Sequence, residues 1–210
     1  MVTDGALRLG VLVSGRGTNL QALLDACAAG EIPARVAVVG CNRADAPALG
    51  RARAAGVPVC VVDRAAIPTR EGRQQVFLDA LQAARVDLVV LAGYDEILSP
   101  SFVAAFAGRM INTHPSLLPA FAGTMHAVQQ ALEHGVKVTG CTVHLVTEEP
   151  DGGPILYQQC VKVSEDDTAE SLHTRILAEE HKLLPAAVRA LAEGRVRIEG
   201  RRARVIGSAE

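Results

Sequence analysis

Four short apolar runs, Leu7 to Val13, Ala34 to Cys41, Val57 to Val62 and Val86 to Ala92, alternate with helical patterns through the first half of the chain. That rhythm constrains the fold more than any other feature. A helix is expected after the first run, through Ala28. An Ala-rich one spans Ala46 to Ala55 and is closed by Gly56, and a third, capped by Thr69, runs to Ala84. The runs are too short for helices and read as strands buried on both faces. Strands alternating with helices over short connections predict a parallel sheet covered on both sides, with right-handed crossovers. Ser99 and Pro100 open one more short helix, as N-cap and first helical residue.

Beyond residue 110 the rhythm changes. A short run ends at Ile111 and passes into Asn112-Thr113-His114-Pro115-Ser116-Leu117-Leu118-Pro119. A helix is expected over His126 to Glu133. Val138 to Val146 and Ile155 to Val163 then alternate as two antiparallel strands joined by Thr147 to Pro154. Glu165 to Glu193 carries a long helical pattern that Pro185 should break or kink. Residues 195–206 are basic and read as one edge strand. The fold class is therefore α/β: a single-domain Rossmann-like sheet, mostly parallel in the N-terminal half, antiparallel in the C-terminal part, with helices on both faces.

Hydrophobic content of 49% supports a sizeable core, but aromatics are only 3%, so Ala, Val and Leu must fill it. A net charge of −2 gives no sign of a polyanion-binding surface, which argues against nucleic acid. No stretch approaches transmembrane length, and Leu9 to Val13 is too short for a signal peptide. Cys27, Cys41, Cys60, Cys141 and Cys160 are scattered without a C-x-x-C pair. They read as small buried hydrophobes in a reducing cytoplasm.

Asn112 and His114 are two residues apart, so extended backbone puts both on one face. Pro115 holds His114 to extended geometry. An amide donor thus stands beside an imidazole at a strand's carboxyl end, where open α/β sheets place their sites. Asp151, in the Gly-rich loop Glu149-Pro150-Asp151-Gly152-Gly153, can bring a carboxylate to that imidazole. The first loop, Ser14-Gly15-Arg16-Gly17-Thr18-Asn19, lacks the third glycine of a dinucleotide fingerprint and the Lys of a Walker loop. Gly17, Thr18 and Asn19 suit a single phosphate at a helix N-terminus, or a plain turn capped by Thr18. His144 shares a face with Thr142 and Val146 and could meet the site or face solvent. His126, His134, His173 and His181 have no ligand-like spacing with it, so no metal is expected. Ser14 and Ser116 lack a nucleophile-elbow context, which argues against covalent catalysis.

Taken together, Ser14 to Asn19, Asn112 to Pro119, Thr139-Gly140-Cys141-Thr142-Val143-His144 and Asp151 to Pro154 resemble the folate-dependent glycinamide ribonucleotide (GAR) formyltransferases, over about residues 8–198. The resemblance implies transfer of the formyl group of 10-formyltetrahydrofolate to the amine of GAR, in purine biosynthesis, without a metal. It implies His114 as general acid/base, Asn112 as holder of the formyl oxygen and Asp151 as organiser of His114 and a water. Gly17, Thr18, Asn19 and Glu180 would hold GAR. Arg70 and the segment Asp95-Glu96-Ile97-Leu98 would form the folate pocket, with Asn112 shared. The implied organisation is one domain over 1–210: a phosphate-binding half at about 7–110, a folate and catalytic half at about 111–198, and a tail at 199–210. The expected partners are these small molecules, not nucleic acid or membrane, with the protein a monomer or homodimer. Asp95 and Glu96 depart from the family's apolar and basic pair, and would repel a polyglutamate tail if they faced it. The loop after Phe121 carries one extra residue near Thr124-Met125. The competing readings are a formyltransferase acting on an amino-sugar nucleotide or another amine, and a non-catalytic folate or nucleotide binder.

Overall fold

A computed structural model of the chain describes residues 5–207. The first four residues of the expected domain and the last three of its tail lie outside the described residues. The chain runs β1 (Leu7–Val13), α1 (Thr18–Ala28), β2 (Ala34–Cys41), α2 (Ala48–Ala54), β3 (Val59–Val61), α3 (Arg70–Ala83), β4 (Leu88–Leu91) and α4 (Pro100–Ala105). It continues through β5 (Met110–His114), α5 (Ala127–Glu133), β6 (Val138–Leu145), β7 (Ile155–Lys162), α6 (Ala169–Ala192), β8 (Val196–Glu199) and β9 (Arg202–Val205). All the described strands join one sheet in the order β3-β2-β1-β4-β5-β6-β7-β9-β8. The strands from β3 across to β5 are parallel. β6 then runs antiparallel to both β5 and β7.

The period of two along β1 divides the core. Leu9, Val11 and Val13 point to one face, where Leu20 and Leu23 of α1, Leu49 of α2 and Leu184 and Val188 of α6 cover them. Leu12 points to the other, under Phe77 and Leu81 of α3 and Phe102 of α4. A third cluster joins Val128 of α5, Cys141, Val161 and Ile176 at the antiparallel end. The helix caps follow the sequence: the Thr69 hydroxyl accepts from Gly72 N–H, and Ser99 from Phe102 N–H.

The structure corrects two expectations and narrows a third. Residues 195–206 form two strands rather than one, a hairpin whose turn places Gly200 at φ 61°, where such turns favour glycine. α6 runs through Pro185 without the break that was one of the two expected outcomes there. Leu184, Ala187 and Val188 around it are fully buried, and their packing carries the helix past one missing backbone donor. Finally, Cys160 is exposed and Cys27 and Cys60 are only partly covered, so just Cys41 and Cys141 are buried hydrophobes. An outward-facing position on β7 explains Cys160.

With so few aromatics, each large ring matters. Phe77 is 1% exposed and packs edge-on against Tyr94 at 6.2 Å between ring centres. Phe77→Ala should lower the unfolding free energy by about 3–5 kcal/mol. Urea unfolding followed by far-UV circular dichroism checks this, and a loss near that of an exposed-residue control would contradict the packing described.

Candidate active site

β1 lies between β2 and β4, so the chain leaves it in opposite directions and opens a crevice beyond the carboxyl ends of β1 and β4. Two bonds tie the loops there: Ser14 N–H to Gly93 O at 3.0 Å and Asp95 N–H to Ser14 Oγ at 3.0 Å. The crevice widens into a cavity of about 590 Å³. Its wall includes Gly17, Thr18, Asn19, Asp95, Glu96, Ile97, Leu98, Asn112, His114, Asp151 and Glu180. Of the site residues read from the sequence, Arg70 alone is outside this lining. It starts α3, and its guanidinium pairs with Glu71 at 2.9 Å.

In the cavity wall one carboxylate faces two imidazoles and an amide. Asp151 Oδ2 is 3.4 Å from His114 Nδ1, and Oδ1 is 3.4 Å from His144 Nε2. Gly123 N–H donates to Oδ2 at 2.8 Å, and Asn112 Nδ2 reaches Oδ1 at 3.4 Å. Burial opposes ionisation of Asp151, yet the His144 hydrogen bond, the His114 charge and the Gly123 N–H outweigh it, so its carboxyl is held below the ordinary range.

The outer contacts orient the rings. A carbonyl can only accept, so His114 Nε2 carries the proton that it gives Phe121 O at 2.8 Å, and His144 Nδ1 the one that it gives Leu145 O at 2.9 Å. His114 Nδ1 is left facing Asp151, where a second proton finds an acceptor. His144 Nε2 has two partners within reach: protonated, it donates to Asp151 Oδ1 at 3.4 Å, and neutral, its lone pair accepts from Asn112 Nδ2 at 3.2 Å. That contact sets the amide: reversed, its oxygen would face the Asp151 carboxylate.

The first loop is fixed from behind. Arg51 Nε donates to Arg16 O at 2.9 Å, and Ala48 N–H to Gly15 O at 3.2 Å. Gly17 is the N-cap of α1 at φ 71°, and a Cβ there would come within 2.6 Å of Ala48 Cβ. Thr18, expected as the cap in the plain-turn reading, is instead the first helical residue. The first N–H groups of α1 lack intrahelical partners. Asn19 Nδ2 crosses to Glu180 Oε2 at 2.6 Å, joining α1 to α6.

The two acids of the 95–98 segment are matched by arginines. Asp95 accepts from Asn42 and Arg64, each at 2.7 Å. Glu96 pairs with Arg73 at 2.8 Å, both side chains 8% exposed, and with Arg64 at 2.9 Å. Neither presents an uncompensated charge, so the basis for repelling an anionic tail is removed. Ile97 beside them is 64% exposed.

Comparison with known proteins puts this arrangement in a lineage. Residues 7–188 match the formyl transferase family. The chain belongs to that family. It is 51% identical over 196 residues to a phosphoribosylglycinamide formyltransferase of Mycobacterium tuberculosis, covering 93% of this chain and 90% of that one. It is 42% identical over 202 residues to the protein of that name from Haemophilus influenzae, covering 96% and 95%. The crystal structure of glycinamide ribonucleotide transformylase 1 from Symbiobacterium toebii superposes with a TM-score of 0.93 at 55% identity, covering 97% of this chain and 95% of that chain.

Within this formyl transferase scaffold, the sequence reading left His144 open, and the structure places it in the site. Its signal was present: it follows Thr142 on one face of a strand. What sequence could not supply was the register pairing Asn112 with His144.

Glu180 is 3% exposed, and burial raises its carboxyl above the usual range despite the Asn19 hydrogen bond. A raised folded-state value means the fold favours the protonated acid. The stability Glu180 contributes is present below its unfolded value and lost as pH rises through the folded one. Glu180→Gln should therefore unfold at higher urea than wild type at pH 7, the advantage shrinking as pH falls toward 4.5. Equal midpoints at pH 7 would count against a buried charge here.

Proposed function

We propose that the chain catalyses direct transfer of a formyl group from 10-formyltetrahydrofolate to the amine of GAR. The observation that carries this reading is Asp151 standing between His114, His144 and Asn112 in the wall of a cavity that also takes in the N-terminus of α1. The cavity also fits the donor: Leu98, Val103, Val146 and Met125 give it apolar wall, and about 590 Å³ is ordinary for a drug-sized ligand. The donor supplies an electrophilic formyl carbon. The chain's side chains do the rest.

As the amine attacks, charge develops on the formyl oxygen. Asn112 Nδ2 holds Asp151 at 3.4 Å, the edge of hydrogen bonding, so that N–H is readily given over to the oxyanion. His144 keeps the other N–H and aims the amide. A preorganised donor of this kind is worth roughly 3 kcal/mol. His114, protonated on both nitrogens, stabilises the same charge while Asp151 balances it. The new C–N bond forms to the amine and the bond to the folate nitrogen breaks; His114 gives a proton to that departing nitrogen, and the neutral imidazole it becomes recovers one from the amine by way of Asp151. No step needs an enzyme nucleophile.

Gly17, Thr18 and Asn19 hold the GAR phosphate end and Glu180 its sugar, on this reading. Segment 95–98 offers backbone groups to the pteridine. Arg70, held only by an exposed pair with Glu71, remains available to a tail carboxylate. The single-domain division at about residue 110, a monomer or homodimer, and a cytoplasmic location belong to the same proposal. The free thiols of all five cysteines suit a reducing compartment.

His114→Ala and Asp151→Asn should fold yet lose about 10²–10⁴ in kcat. The absorbance change on forming tetrahydrofolate from GAR and the formyl donor measures it. A fully active His114→Ala protein would overturn the assignment. Asn112→Ala should lose about 10²–10³ in kcat with little change in KM for GAR, and a pure KM effect would remove its oxyanion role.

A further inference from the structure

We infer that Arg16 and His173 clamp the phosphate of the amine substrate, and so set this chain's preference for a phosphomonoester. The inference rests on the proposed function and concerns residues that reading does not use.

α6 presents one stripe to the cavity: Glu180, Leu177 and His173, spaced three and four residues apart. Glu180 marks where α6 meets α1, through its bond to Asn19. Leu177 offers no charge. The next position of the stripe is His173, and across from it Arg16 also lines the cavity, directly before the N-terminus of α1. Among the described residues the Arg16 guanidinium makes no hydrogen bond or ion pair. Its backbone, in contrast, is held by Arg51, so the cation stands on a fixed base. Two sources of positive potential, an arginine and the free N–H groups of α1, therefore converge beside an imidazole that can donate to the same anion.

Two further observations point to a ligand here. Asn19 is 6% exposed and lines the cavity, yet its Oδ1 is buried with no partner, an acceptor suited to a sugar hydroxyl beside the phosphate. Burial and the charge of Arg16 also push His173 below the ordinary imidazole range. A phosphate dianion between the two turns that repulsion into a shared attraction. Arg matches phosphate oxygens bidentately, so it should contribute more than the imidazole.

The test compares GAR with its dephosphorylated ribonucleoside as formyl acceptors, in wild type, Arg16→Ala, Arg16→Lys and His173→Gln. Arg16 is exposed, so its replacement leaves the core alone. Arg16→Ala should raise KM for GAR about tenfold or more, with KM for the formyl donor and kcat/KM for the ribonucleoside within about twofold of wild type. Arg16→Lys should recover part of the loss, and His173→Gln should shift the same ratio by a smaller factor. Inorganic phosphate should compete with GAR less well in Arg16→Ala. Equal losses on both acceptors, or an unchanged KM for GAR in both Arg16→Ala and His173→Gln, would overturn the clamp while leaving formyl transfer intact. A wild-type protein that does not formylate GAR would instead remove the proposed function, and this inference with it.

Discussion

The register between β5 and β6 is the constraint on which the site depends. β5 is the last of the parallel strands on its side of the sheet, and β6 pairs with it antiparallel, so Asn112 faces His144 and His114 faces Thr142. A slip of one residue would turn these side chains to the opposite face. The neighbouring pair holds the register from outside. Thr142 Oγ1 donates to Ser116 O at 2.7 Å and accepts from Leu118 N–H at 3.1 Å, locking the loop after His114 onto β6. Gln158 of β7 adds a bond to Leu118 O at 2.9 Å. Polar chemistry can lie this deep because strand pairing satisfies the backbone around it.

Much of this was legible in the sequence because it follows from period and punctuation. β1 and β2 begin and end where their apolar runs do, and Thr69 and Ser99 cap the helices they precede. Asn112 and His114 were readable as a pair because a period of two needs no long-range information. Asp151 was readable as a candidate only, since a turn Asp before two glycines is common. The site's remaining parts depend on pairing between distant segments. His144 became part of it through register, and the β6–β7 pairing beside it shifts by one residue, Val143 facing Tyr157 and His144 facing Ile155. Nothing local to those residues announces it.

The charges of segment 95–98 illustrate the same limit. Read alone, Asp95-Glu96 are two acids in a pocket meant for an anionic cosubstrate. The fold brings Arg64 from the loop after β3 and Arg73 from α3 to meet them. A buried pair such as Arg73–Glu96 gives little net stability, because desolvation offsets most of its attraction, but breaking it leaves a stranded charge. Its consequence here is positional: Tyr94, Asp95 and Glu96 are held in place, and the backbone beside Ile97 is held with them.

The loops that carry Phe121 and Asp151 are tied to one another rather than to the sheet alone. Phe121 and Asp151 are both non-glycine residues at positive φ, 55° and 54°, and both are partners of His114. Such conformations cost of order 1–3 kcal/mol each and persist only where surroundings over-determine them. Here Gly123 N–H on one loop grips the Asp151 carboxylate on the other, while His114 binds both. The carboxylate is therefore a structural tie between the loops as well as the anion facing two imidazoles. An amide at 151 would retain an acceptor for Gly123 but lose the charge facing two imidazoles, separating the two roles. Since the tie spans two loops, the Phe121–Gly123 segment, Asp151 and His114 are held as one unit. A strand-mounted Asn112 supplies the fixed reference against which that unit acts.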